Sequence, residues 1–121
     1  MTTKWIAIGA FWAAVGVGLG AFGAHGLKKL VTPELLENWQ TGVHYHLITA
    51  LGLVLHGLFQ RASSAKAWPA CILLAGSLAF SGSLYAYVLG GPHAVVFVTP
   101  VGGVLLIAGW LGFALQAARS R

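Results

Sequence analysis

The chain is expected to fold as an all-α integral membrane protein, a four-transmembrane-helix bundle running up-down-up-down with both termini cytoplasmic. Three observations carry that expectation. Asp, Glu, Lys and Arg are missing between Lys4 and Lys28, between Glu37 and Arg61, and between Lys66 and Arg119. The last of these gaps is interrupted at Gly90-Gly91-Pro92-His93, which divides it into two apolar runs. Finally, 58% of the residues are hydrophobic and only 7% are charged, whereas soluble domains carry about 25% charged residues. A hydrocarbon core about 30 Å thick requires roughly 20 apolar helical residues, and every run is about that long. Four spans consume most of the 121 residues and leave no length for a separate soluble domain.

The first span is placed at about residues 5–24. Lys4 before an apolar run also suits a secretory signal, but signal cores are about 7–15 residues long. The run from Trp5 to Ala24 has 20, so it is read as an uncleaved span. A polar connection with Lys28 and Lys29 follows. Thr32-Pro33-Glu34 then reads as a helix start, with a hydroxyl N-cap, proline at the first position and an acid at the positive end of the dipole. Nothing breaks the helix from Pro33 to Phe59, and at 1.5 Å per residue it extends about 40 Å. Its first turns therefore lie in the interface, and the second span proper is about 41–59. The third, about 68–89, ends at Gly90-Gly91-Pro92, where glycine relieves helical geometry and proline cannot continue it. Thr99-Pro100 repeats the earlier start signal, so the fourth span is placed at about 99–117, with His93 to Val98 as a surface loop. The alternative is a start at Ala94 and a kink at Pro100.

Lys4, Arg61, Lys66, Arg119 and Arg121 fall on one side of this topology, and Lys28 and Lys29 on the other. The positive-inside tendency then puts both termini in the cytoplasm. Small residues recur at intervals of four in the first span (Gly16, Gly20, Ala24 and Ala10, Ala14, Gly18) and in the third (Ala75, Ala79, Ser83). Such rows let helices approach closely in lipid. Packing inside one bundle explains them as well as dimerisation does.

Several functions are disfavoured. The net charge of +5 comes from cations dispersed at the ends of apolar runs, which suits lipid headgroups rather than nucleic acid. The lone Cys71 has no disulfide partner within the chain and reads as a packing residue. Gly18-Leu19-Gly20-Ala21-Phe22-Gly23 fits the G-x-G-x-x-G pattern, yet it ends a membrane span where a dinucleotide site needs a preceding strand. Both carboxylates, Glu34 and Glu37, sit on one interfacial segment. Nucleophile-elbow and zinc-protease motifs are missing. No catalytic residue and no metal site is assigned, and the chain is read as a non-enzyme of unknown cofactor requirement.

The polar residues within the spans are polarised. His25, His44, His46 and His93 map to the outer side, joined by Thr41, Tyr45, Ser81, Ser83, Tyr85, Tyr87 and Thr99; only His56 lies towards the cytoplasmic end. Around the second helix, Gly42, His46, Thr49 and His56 share a stripe roughly 80° wide, which is expected to face the bundle because lipid penalises it. His44 and His46 are about 200° apart and cannot chelate one ion together. The candidate ligand-binding set is His25, His46, Ser81, Ser83, Tyr85 and Thr99, an outer pocket for a metal, a quinone-like headgroup or a proton. Hydrogen bonding between helices is the competing reading of the same residues.

Gly20-Ala21-Phe22-Gly23-Ala24-His25-Gly26-Leu27, Trp39-Gln40-Thr41-Gly42, Phe80-Ser81-Gly82-Ser83-Leu84-Tyr85 and Thr99-Pro100-Val101-Gly102-Gly103 stand in this order along the chain. Together they resemble the transmembrane protein 256 family of small uncharacterised bacterial inner-membrane proteins and mitochondrial relatives. The resemblance covers nearly the whole chain. It implies a four-helix membrane protein in a bacterial plasma membrane and supplies no activity. The functional expectation is an accessory or interaction subunit of an inner-membrane assembly, contacting lipid and either a membrane-protein partner or further copies of itself. The alternative is an outer-facing binding or transport protein.

Overall fold

The computed structural model describes residues 3–120. Four α-helices account for most of them: α1 (Lys4–Ala24), α2 (Pro33–Ala62), α3 (Trp68–Val88) and α4 (Val98–Arg119). Each is long and apolar enough to cross a membrane, and no strand occurs among the described residues. Consecutive helices run antiparallel and pack side by side in chain order, α1 on α2, α2 on α3 and α3 on α4. The termini and the α2–α3 connection therefore share one end of the bundle, called here the terminal end. The α1–α2 and α3–α4 connections share the distal end.

The helix boundaries have local causes. Thr32 caps α2, its hydroxyl accepting from the Leu35 N–H at 3.3 Å, with Pro33 at the first position. At the end of α3 the chain turns through Gly90, whose φ is +95°. The Gly90 N–H bonds to the Tyr87 carbonyl and the Gly91 N–H to the Ala86 carbonyl, the paired bonds of a Schellman stop. The second Thr-Pro pair behaves differently from the first. A short 3-10 segment, His93–Phe97, leads straight into α4 at Val98, with Phe97 rather than Thr99 at the cap. Pro100 then lies in the first turn, where its missing N–H has no intrahelical partner to lose. α4 thus begins beside the expected Thr99 rather than at Ala94, but Thr99 does not serve as its cap.

Close approach between helices comes from glycine. On α1, Gly9, Gly16 and Gly23 recur every seven residues and are buried. A Cβ on Gly9 would sit 2.8 Å from the Ala50 carbonyl oxygen, and one on Gly23 would sit 2.6 Å from Cδ1 of Trp39. On α4, Gly102, Gly109 and Gly112 meet Phe80, Leu73 and Trp68 of α3 in the same way. The Ala10, Ala14, Gly18 row is not used inside the bundle: both alanines are exposed, and Gly18 has open space around it. Ala75 and Cys71 likewise face outward on α3. A packing role for Cys71 is therefore corrected.

Polarity is inverted relative to a soluble protein. Phe11, Val17, Leu51, Leu78, Val104, Ile107 and Leu111 are more than half exposed, while His46, Thr49, His56, Ser77, Ser81 and Ser83 are buried. Lipid accepts the first group and penalises the second, so polar side chains turn inward to find partners. Two apolar clusters complete the interior. Trp5, Leu53, Ala70, Leu73 and Leu106 gather towards the terminal end, and Leu27, Trp39 and Val88 at the distal end.

Candidate functional site

The stripe on α2 points into the bundle, with Gly42, His46, Thr49 and His56 all buried and His44 and Tyr45 exposed. His46 is the centre of the distal polar cluster. Its imidazole lies against the Trp12 indole, with ring centroids 3.9 Å apart and planes 22° apart. Gly16 makes room for it, since a Cβ there would lie 3.0 Å from the imidazole Cδ2. Nε2 lies 2.8 Å from the Trp12 carbonyl, and Nδ1 lies 2.9 Å from the Tyr85 hydroxyl. A carbonyl only accepts, so Nε2–H donates to it. In the neutral imidazole Nδ1 then accepts from the Tyr85 O–H. Both ring nitrogens are occupied, and the one side chain joins α1, α2 and α3.

The neighbouring groups form further links between helices. The Trp12 indole N–H donates to Ser77 Oγ at 2.8 Å, and the Trp39 indole N–H to the Leu19 carbonyl at 2.9 Å. Ser81 Oγ donates to the Gly42 carbonyl at 2.7 Å. Ser83 Oγ donates to its own helix at the Phe80 carbonyl, 2.9 Å away, which leaves Thr99 Oγ1 to donate to Ser83 Oγ at 2.5 Å. The Thr99 hydroxyl, expected at a helix cap, thus joins α4 to α3.

Of the six residues singled out in the sequence, His46 and Tyr85 are joined directly, and so are Ser83 and Thr99. Ser81 bonds across to the Gly42 carbonyl of α2 and also lies against Tyr85. His25 stands apart, exposed at the end of α1, beside a cavity of about 460 Å³ lined by Ala24, Gly26, Lys28 and Lys29. Among the described residues no three His, Cys, Asp or Glu side chains come together as a metal-ligand set.

A second polar group lies at the terminal end. His56 Nε2 is 2.7 Å from Gln116 Oε1, and Gln116 Nε2 donates to the Lys66 carbonyl at 3.0 Å. Gln116 also borders a cavity of about 420 Å³ with Phe59, Ser63, Ser64, Arg119 and Ser120. Sequence reasoning placed His56 on the inward stripe but assigned it no partner, placed Trp39 in the interface without a bonding role, and overlooked Gln116, Trp12 and Ser77. The available signal was an amide within the last span and tryptophans within spans, each carrying a donor that lipid cannot satisfy.

Comparison with known proteins adds a family. The model of the protein family of unknown function DUF423 matches residues 19–103. The UPF0382 membrane protein YwdK of Bacillus subtilis is 38% identical over 94% of this chain and 95% of its own length. The UPF0382 inner membrane protein YgdD of Escherichia coli is 38% identical over 98% of this chain and 93% of its own. A UPF0382 membrane protein of Staphylococcus haemolyticus is 38% identical over 88% of both chains. No solved structure matches. With the family model spanning most of the chain and full-length relatives at this identity, the protein belongs to the DUF423, or UPF0382, family of membrane proteins of unknown function.

Proposed function

We propose that the protein is a non-catalytic accessory or interaction subunit of an inner-membrane assembly. The observation that carries this reading is how the distal polar cluster uses its hydrogen-bonding capacity. His46, Ser81, Ser83, Tyr85 and Thr99 all bond within the bundle, mostly from one helix to another. A ligand in that cluster would have to break bonds that hold the helices in place. Such a rigid bundle offers its lipid-facing helix surfaces to neighbours rather than a reactive centre. Both termini are placed in the cytoplasm by the distribution of Lys and Arg, and the likeness to the transmembrane protein 256 family is read as wider kinship.

Purification in mild detergent at native expression level tests the proposal. A defined membrane protein recovered in stoichiometric amount supports it, and a lone monomer contradicts it. Reporter fusions at each end test the orientation, both being expected to report cytoplasm.

A second reading is favoured by one observation, the convergence of His46, Tyr85, Ser83 and Thr99 at the distal end. On that reading His46 and Tyr85 exchange their mutual bond for a small ligand, a metal or a proton, and His25 lies at the rim. Ligand-dependent stabilisation that is lost in His46→Ala would favour it over the first.

A further inference from the structure

Among the described residues two buried nitrogen atoms have no hydrogen-bond partner, Trp5 Nε1 and His56 Nδ1. His56 is wholly buried, and Trp5 is 7% exposed. Neither atom belongs to the distal cluster.

The protonation of each follows from its surroundings. The Lys66 carbonyl only accepts, so the amide nitrogen of Gln116 turns towards it. That leaves Gln116 Oε1, also an acceptor, facing His56 Nε2, and Nε2 therefore carries the proton. In the neutral imidazole Nδ1 is then a bare lone pair, whereas the indole of Trp5 has an N–H and nothing else. One unpartnered atom accepts and the other donates.

They also lie at the same level of the bundle. Trp5 packs in the cluster that contains Leu53, one helical turn before His56 on α2. Gly57, the neighbour of His56, abuts Ile6, the neighbour of Trp5: a Cβ there would lie 2.7 Å from Ile6 Cγ1. The surrounding walls are apolar and buried, with Leu53, Ala70 and Leu73 fully enclosed. These apolar walls supply no hydrogen bond, and leaving both buried groups unmade is unfavourable.

We propose that Trp5 and His56 bind one internal water molecule, which accepts from the indole N–H and donates to the imidazole Nδ1. Two polar partners are the minimum that a buried water requires, and the site supplies both kinds. A metal is disfavoured by the donor set, because among the described residues no three His, Cys, Asp or Glu side chains come together and an indole N–H cannot ligate. With the water in place, one hydrogen-bonded chain runs from α1 through His56 and Gln116 to the α2–α3 connection. The terminal end would then be tied across α1, α2 and α4 much as the distal end is tied by His46.

The test uses the full chain in lipid nanodiscs, with nitrogen-15 in its tryptophans and histidines. The Trp5 indole resonance is assigned by its loss in Trp5→Phe. Magnetisation transfer from water to each indole proton is then measured. The Trp39 indole, buried and bonded to the Leu19 carbonyl, serves as the dry reference. The expected result is transfer to Trp5 several-fold above that to Trp39, with His56 Nδ1 unprotonated and hydrogen-bonded in the wild type. In Trp5→Phe the His56 Nδ1 resonance is expected to move as the bridge loosens. An indole proton as dry as that of Trp39, or a direct coupling between Trp5 Nε1 and His56 Nδ1, would overturn the proposal. Both overturning results are read on the unmodified protein, and Trp5→Phe serves to assign the indole resonance and to follow His56.

Discussion

At the scale of single residues, glycine and histidine do most to define this bundle. A side chain at Gly102 would collide with the backbone of Phe80, whereas one at Gly18 would meet nothing. Gly102→Ala is therefore expected to lower stability by about 1–3 kcal/mol through overpacking, and Gly18→Ala to leave it unchanged or slightly raised. Unfolding in mixed detergent micelles checks the pair; equal effects at both sites would contradict the packing described. The His46–Tyr85 contact makes a second expectation. His46→Phe and Tyr85→Phe should be non-additive, with a coupling of about 0.6–1.7 kcal/mol, the scale of helix-to-helix hydrogen bonds measured in membranes. Strict additivity in the same unfolding assay would mean that the bond adds nothing to stability. The sequence made His46 legible because it shares one helical stripe with Gly42, Thr49 and His56, a polar face that lipid penalises. It did not reveal which groups His46 meets, because the Trp12 carbonyl and the Tyr85 hydroxyl come from helices 34 and 39 residues away.

Single helices show where local signals suffice and where they fail. Thr32-Pro33 and Thr99-Pro100 are the same dipeptide, yet only the first starts a helix in the expected way. Thr32 faces the α2 amide of Leu35 with no competing partner. Thr99 stands opposite Ser83 on α3, and that bond between helices takes the hydroxyl from any cap. The preceding apolar residues, His93–Phe97, coil into a 3-10 segment packed on α3 and α4 instead of forming an open loop. Thr99→Val should accordingly weaken the α3–α4 contact by about 0.5–1.5 kcal/mol and leave the start of α4 at Val98. Amide hydrogen exchange over residues 98–104 reads this out; a loss of protection confined to the first turn would restore the capping role. The spacing of small residues was similarly ambiguous. Several rows are visible on α1, but only the tertiary structure shows that Gly9, Gly16 and Gly23 form the packed face while Ala10 and Ala14 look outward.

For the whole molecule, the number and type of helices were readable because charge-free runs of span length have few alternative explanations in a bilayer. The inverted polarity, with aliphatic residues outside and histidines and serines inside, follows from the same constraint. The distal cluster was legible as a concentration of polar residues, but its state was not, since composition cannot separate an open pocket from a saturated hydrogen-bond network. The geometry favours saturation, and this is the central claim: His46 and the distal hydroxyl groups fasten helices together. Metal analysis of the purified wild type beside His25→Ala and His46→Ala tests it most directly, with stability recorded on the same samples. The expected result is no stoichiometric metal in any of the three and lowered stability in His46→Ala alone. A stoichiometric metal in the wild type that disappears in His46→Ala would contradict it.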